Sequence, residues 1–131
     1  MARPKSEHPT ELELMILKIL WGSSPLPVRE IRRRLAADGR DIAHTSVITT
    51  LNIMVRKRSL KRAKKGNAFL FAPSVSQEGV SGRMLGDVVR RVFDGSAKAV
   101  VVALLESSDV DADELLELRR YINRKARETS T

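Results

Sequence analysis

Residues 44–73 change their hydrophobic period halfway along, and that change limits what the chain can fold into. Val47, Leu51 and Met54, with Val55 closing the stripe, are spaced as one face of a helix. The spacing predicts a helix over residues 44–58, with Thr45 as its N-cap. The opposite side carries Thr45, Ser46, Thr49 and Asn52, with His44 close by: short hydrogen-bonding side chains in place of the Glu/Lys mix of an ordinary solvated face. From Leu60 onward the period becomes two. Leu60, Arg62 and Lys64 lead into a Lys65-Gly66-Asn67 turn, and Phe69-Leu70-Phe71 follows, which reads as a hairpin with a basic tip.

A polar-faced helix followed at once by a basic hairpin suits a reader of a nucleic-acid groove with a phosphate-touching wing. The distribution of charge supports this. The chain carries a net +8, yet residues 1–75 hold 15 Lys/Arg against 6 Asp/Glu, while residues 76–131 hold 9 against 10. All of the excess positive charge therefore lies in one half, the pattern expected when one part of a protein meets a polyanion. A basic surface kept for solubility is the plainer explanation, but seven of the ten residues from Arg56 to Lys65 are basic, which is dense for that purpose.

Composition removes other classes. There is no Cys, hence no disulfide, thiolate nucleophile or Cys-ligated metal. The two histidines, His8 and His44, are too few and too far apart in sequence to suggest a metal site. No nucleophile–His–acid set and no phosphate-cradling glycine loop is visible, so neither an enzyme nor a cofactor is expected. The longest apolar run, residues 99–105, has the length of a buried core segment, so nothing is expected to insert in a membrane. Residues 1–8 lack an apolar signal core and read as a flexible tail, with the cytoplasm as the expected location.

Taken in order, Thr10 and Glu13 form a capping box ahead of a first amphipathic helix built on Leu12, Ile16, Leu17, Ile19 and Leu20. Gly22 and Pro25 stop it, and Trp21 at its end reads as core packing rather than a binding residue. A second helix starts near Pro27, buries Val28, Ile31 and Leu35, and ends at Gly39. Its outer face carries Arg29, Arg32, Arg33 and Arg34, which suit contact with phosphate or are simply arginine-rich solvated surface.

These helices, the polar-faced helix and the basic hairpin spell a winged helix-turn-helix over residues 9–75. Major-groove readout favours short polar side chains close to base edges, so Thr45, Ser46, Thr49, Asn52 and His44 are the candidate base readers. Arg32, Arg33, Arg56, Lys57, Lys61, Lys64, Lys65 and Asn67 are the candidates for phosphate and wing contacts, which set affinity and salt dependence. Singly, Thr45, Ser46 and Thr49 would pass as a cap and two neutral surface residues; the adjoining hairpin makes them candidates.

Beyond the polar hinge at residues 74–78 the pattern becomes helical throughout. Ser76 is placed to cap a helix carrying Val80, Met84, Leu85, Val88, Val89, Val92 and Phe93, and Ser96 to cap an almost wholly apolar one over residues 97–105. Asp111 opens a last helix with acids in its first turn and bases in its last. Helices of that length cannot bury so apolar a segment alone, and a second copy is the simplest cover. The expected dimer interface over residues 76–131 comprises Leu85, Val89, Phe93, Val101, Leu104, Leu105, Leu115, Leu118 and Ile122; folding back onto residues 9–75 is the rival arrangement.

The chain resembles the BlaI/MecI-type transcriptional repressors, grouped with the CopY copper-responsive repressors. The match runs through residues 9–13 to Leu20-Trp21, Val28-Arg29-Glu30-Ile31, Thr45-Ser46-Val47 with Thr49 and Leu51-Asn52, the wing from Gly66-Asn67-Ala68-Phe69 to Pro73, and Phe93-Asp94-Gly95-Ser96. The resemblance implies a homodimer that represses transcription by occupying a dyad-symmetric double-stranded DNA operator. It also implies a membrane-bound sensor protease whose signal leads to cleavage in the dimerisation part. The sequence departs from the family pattern at Ile53, where Arg is usual, and at Lys57-Arg58-Ser59, where Lys-Gly-Leu is usual. It lacks the cysteine cluster of the copper-sensing branch, and the cleaved Asn-Phe bond of the β-lactam-responsive branch has no counterpart in Val102-Ala103-Leu104-Leu105. Two other functions compete: a non-specific architectural DNA binder, and a winged-helix module that binds an acidic protein partner.

Overall fold

The computed structural model describes residues 8–130; the tail expected over residues 1–8 lies, except for His8, outside the described residues. The elements run α1 (Glu11–Gly22), β1 (Leu26–Pro27), α2 (Val28–Ala37), α3 (His44–Arg56), β2 (Leu60–Lys65), β3 (Ala68–Pro73), α4 (Gln77–Val92), α5 (Ala97–Ser107) and α6 (Ala112–Thr129). They divide into two compact units, the first ending at Gly86 and the second running from Asp87.

In the first unit, α1 starts where its capping box dictates. The Glu13 amide donates to Thr10 Oγ1 at 3.2 Å and the Thr10 amide donates to Glu13 Oε1 at 2.9 Å, so two donors at the helix start are satisfied reciprocally. Ile16, Leu17 and Leu20 form its buried face and meet Ile31 and Leu35 of α2, and Val47, Leu51 and Met54 of α3. Leu60 and Phe71 at the root of the hairpin close this core, together with Val80 from the start of α4. Trp21 is packed against the cluster as expected, and its indole nitrogen also donates to the Val75 carbonyl at 2.8 Å.

The hairpin is tight. β2 pairs antiparallel with β3 from Leu60↔Pro73 to Lys65↔Ala68, leaving Gly66 and Asn67 as the loop. Gly66 has φ +64° and Asn67 does not share the positive φ, the II′ pattern whose twist matches the flanking strands. β1 adds to the other edge of β3 through Leu26↔Phe71 and Pro27↔Leu70. A two-residue strand has no period to recognise, so the sequence gives it no signal.

One expected cap moves. Thr45 lies inside α3, and the N-cap is Ala43, with extended backbone and no side-chain hydrogen bond. The helix begins at His44, two residues earlier than a Thr45 cap requires. The Thr45 carbonyl instead accepts from Thr49 Oγ1 at 2.9 Å.

The C-terminal end of α3 carries the departure at Arg58. The Arg58 amide donates to the Val55 carbonyl and the Ser59 amide to the Met54 carbonyl, the paired bonds of a Schellman cap. Arg58 itself adopts φ +66°, a left-handed position where glycine is the unstrained choice.

The remaining caps fall where the sequence places them. Ser76 Oγ accepts from the Gly79 amide at 2.9 Å, Ser96 Oγ from the Ala99 amide at 3.1 Å, and Asp111 Oδ1 from the Glu114 amide at 2.8 Å. In the second unit, Val100 is the one buried side chain among the described residues. No helix among the described residues is long and apolar enough to cross a membrane.

Candidate nucleic-acid interface

The core fixes which face of α3 turns outward. With Val47, Leu51 and Met54 at zero exposure, the residues rotated away from them are His44, Thr45, Ser46, Thr49 and Arg56, all exposed. Thr45, Thr49, Asn52 and Arg56 succeed one another at i, i+4, i+7 and i+11, so they form one stripe, with Ser46 beside it. Ala43 provides no side-chain acceptor, so the first turn of α3 keeps amides that a phosphate or water can accept from. Thr49 gives its hydroxyl proton to the Thr45 carbonyl, which leaves its oxygen lone pairs as the group to face a donor on a base edge. Thr50 bonds the Ser46 carbonyl in the same way, at 2.9 Å.

Strand alternation sorts the wing. Cross-strand partners share a face, so Leu60, Arg62 and Lys64 lie on the side of Phe71 and Phe69, while Lys61, Ala63 and Lys65 lie on the other. Leu60 and Phe71 are buried against the helices, which makes the first of these the α3 side. Arg62 therefore points back at α3. Its Nη1 donates to Asn52 Oδ1 at 2.8 Å, and its guanidinium carbon sits 4.7 Å from the centroid of Phe69. Lys61, Lys64, Lys65 and Asn67 are exposed along the hairpin and its tip.

Other expected phosphate contacts are engaged within the protein. Lys57 directs its ammonium to Glu13, with Nζ 3.1 and 3.0 Å from the two carboxylate oxygens. Glu13 is 4% exposed, and a buried carboxylate demands such a partner. Arg32 Nε donates to the Ile42 carbonyl at 2.9 Å, bracing the loop that leads into α3. Arg33 and Arg34 both pair with Glu30, and the hydrogen bond from Arg33, then that from Arg34, holds the Glu30 carboxyl down at about 2. Their charges are thus partly neutralised on their own helix. Ile53, at the position where Arg is usual, is half-buried and lines an open groove of about 800 Å³ with Leu17, Val75 and Val80.

Arg62 was not among the candidates read from the sequence. Inside a run of seven bases nothing in composition separates it from Lys61 or Lys64. The usable signal was parity: Leu60 is a core residue, so the residue two further along faces the same way.

The residues expected at a dimer interface are mostly bare. Leu85, Val101, Leu104, Leu105, Leu115, Leu118 and Ile122 are exposed, and Val89 and Phe93 are half-buried. Leu104 and Ile122 are each 54% exposed, high for side chains of this size.

Comparison with known proteins gives a consistent set of relatives. A family model described as the penicillinase repressor matches residues 9–124. The transcriptional regulator BlaI of Mycobacterium tuberculosis is 32% identical over 114 residues, which cover 86% of this chain and 80% of that protein. The penicillinase repressor of Bacillus licheniformis is 22% identical over 113 residues, covering 86% of this chain and 88% of its own. The solution structure of the DNA-binding domain of the repressor BlaI superposes with a TM-score of 0.50 at 21% identity, over 59% of this chain and 93% of that domain. The last likeness shows that the fold is a winged helix.

Proposed function

The chain belongs to the penicillinase repressor family, and we propose that it is a homodimeric transcriptional repressor whose α3 reads a dyad-symmetric operator. Binding at the operator blocks polymerase from the promoter. The observation that carries this reading is the exposed Thr45, Ser46 and Thr49 stripe, continued by Asn52, beside a hairpin rich in exposed bases. Thr45, Ser46, Thr49 and Asn52 face base edges, with His44 near the start of the helix. Arg56, Lys61, Lys64 and Lys65 hold phosphates, with Asn67 at the wing tip. Lys57, Arg32 and Arg33 contribute chiefly by bracing α1, the loop before α3, and α2, since each already has a partner in the protein.

Dimerisation follows from the helices beyond the hinge. The exposed Val101, Leu104, Leu115 and Ile122 support it, because isologous pairing of α5 and α6 removes that apolar surface from solvent. Two copies then present two α3 helices to half-sites a helical turn, or a multiple of one, apart. The protein works where chromosomal DNA is, in the cytoplasm. The resemblance implies release through a membrane sensor protease in the best-known members, but this chain has no Asn-Phe bond to match the one cleaved there.

The test is a fluorescence-anisotropy titration against duplex from upstream of the protein's own gene and against a scrambled duplex, each at two salt concentrations. Preference for the native duplex by about 10³ or more is the expected result. Equal binding to both, fading alike with salt, would make the protein a non-specific electrostatic binder.

A further inference from the structure

We propose that Arg62 is a specificity-determining positioning residue: it holds the Asn52 carbonyl oxygen, so that Asn52 offers DNA its amide hydrogens. The proposal rests on the reading of α3 given above. An asparagine on a groove-reading helix is ambiguous, because rotation about its last bond exchanges a donor for an acceptor. A guanidinium has only donors, so the end of Asn52 that meets Arg62 at 2.8 Å is the oxygen. The NH2 group then faces away from Arg62 and is the group left to meet a base acceptor: a purine N7, guanine O6 or thymine O4. The nearby cation also disfavours the amino groups of adenine and cytosine at that position.

Three features keep Arg62 in place. Parity with buried Leu60 directs its side chain to α3. The Phe69 ring, 43% exposed, supports the flat face of the guanidinium at 4.7 Å. The bridge also crosses a groove of about 460 Å³ lined by Pro27, Val28, Arg29 and Ile48, and among the described residues Arg62 is the side chain hydrogen-bonded to Asn52. Lysine cannot replace this arrangement, since a compact ammonium lacks the planar fork that stacks on the ring while donating sideways.

The experiment uses the full-length chain and the duplex that the wild type enriches from a random-sequence pool. Affinities are measured on that duplex and on every single base-pair replacement across one half-site. Asn52→Ala is expected to erase the preference at one base pair. Arg62→Lys, which keeps the charge, is expected to lose about fivefold or more of that same preference while binding random duplex as the wild type does. Arg62→Ala should lose the same preference, and the Asn52→Ala/Arg62→Ala double variant should lose no more than Asn52→Ala alone. The proposal is overturned if Arg62→Lys keeps the preference, or if the Asn52 and Arg62 losses fall on different base pairs. If Asn52→Ala leaves every preference unchanged, the base-reading role of Asn52 is itself wrong, a separate result from the failure of Arg62 alone.

Discussion

The ammonium of Lys57 and the carboxylate of Glu13, 44 residues apart, meet at 3.0 and 3.1 Å and tie the end of α3 to the start of α1. Glu13 serves twice, as the reciprocal member of the Thr10 capping box and as the acceptor for Lys57. The pair thus sets where α3 ends relative to the core, just before the turn that launches the wing.

Removing one partner strands the other. Lys57→Met is expected to lower the unfolding free energy by about 2 kcal/mol, below the range for a fully buried pair because Lys57 retains a third of its side-chain exposure. Glu13→Gln combined with Lys57→Met should cost less than the sum of the single changes, because no unpaired charge remains. Urea denaturation of the four proteins gives both numbers. Unchanged stability with uniformly weaker DNA binding would instead make Lys57 a phosphate contact.

Arg58 pays for its left-handed backbone with strain that glycine avoids. Arg58→Gly is expected to raise the unfolding free energy by about 0.5–1 kcal/mol, the relief of φ +66° less the greater entropy of glycine in the unfolded chain. The Schellman bonds to Val55 and Met54 are backbone bonds and survive the change. A loss of stability would mean that the Arg58 side chain contributes more than its backbone costs.

Ser46→Ala and Lys64→Ala separate reading from holding. Ser46→Ala should relax preference at about one base pair, by roughly 1 kcal/mol, and leave random-duplex binding unchanged. Lys64→Ala should weaken all duplexes alike and reduce the slope of log K against log salt by about one. Equal losses on cognate and random duplex for both variants would remove Ser46 from the base readers.

Leu104, 54% exposed, tests the dimer. Leu104→Lys should shift the protein to monomer in sedimentation equilibrium and weaken operator binding, while the wild type should unfold at a higher temperature as its concentration rises. A wild type that is monomeric at tens of micromolar, with a concentration-independent midpoint, would refute the arrangement.

Much of this molecule was legible in its sequence because the determinants are local. The capping box at Thr10, the caps at Ser76, Ser96 and Asp111, the stripe of Val47, Leu51 and Met54, and the Gly66-Asn67 turn each depend on residues within a few positions. Charge asymmetry is legible for the same reason, since it is a sum over residues. The observed cap, Ala43, lies two residues before Thr45 and has no side-chain acceptor, so nothing in its chemistry marks it as a helix start.

Partner choice was decided only by tertiary structure. Nothing in the basic run says that Lys57 goes to Glu13 or Arg62 to Asn52; parity with Leu60 assigns a strand residue its face but not its partner. Those outcomes follow from where the hairpin and α1 dock on α3. β1 exists because Leu26 and Pro27 happen to lie along the free edge of β3, and Trp21 finds the Val75 carbonyl across 54 residues of chain. A charge or an amide takes the partner that folding brings within hydrogen-bonding distance, and sequence spacing limits that choice only when both groups lie on the same element.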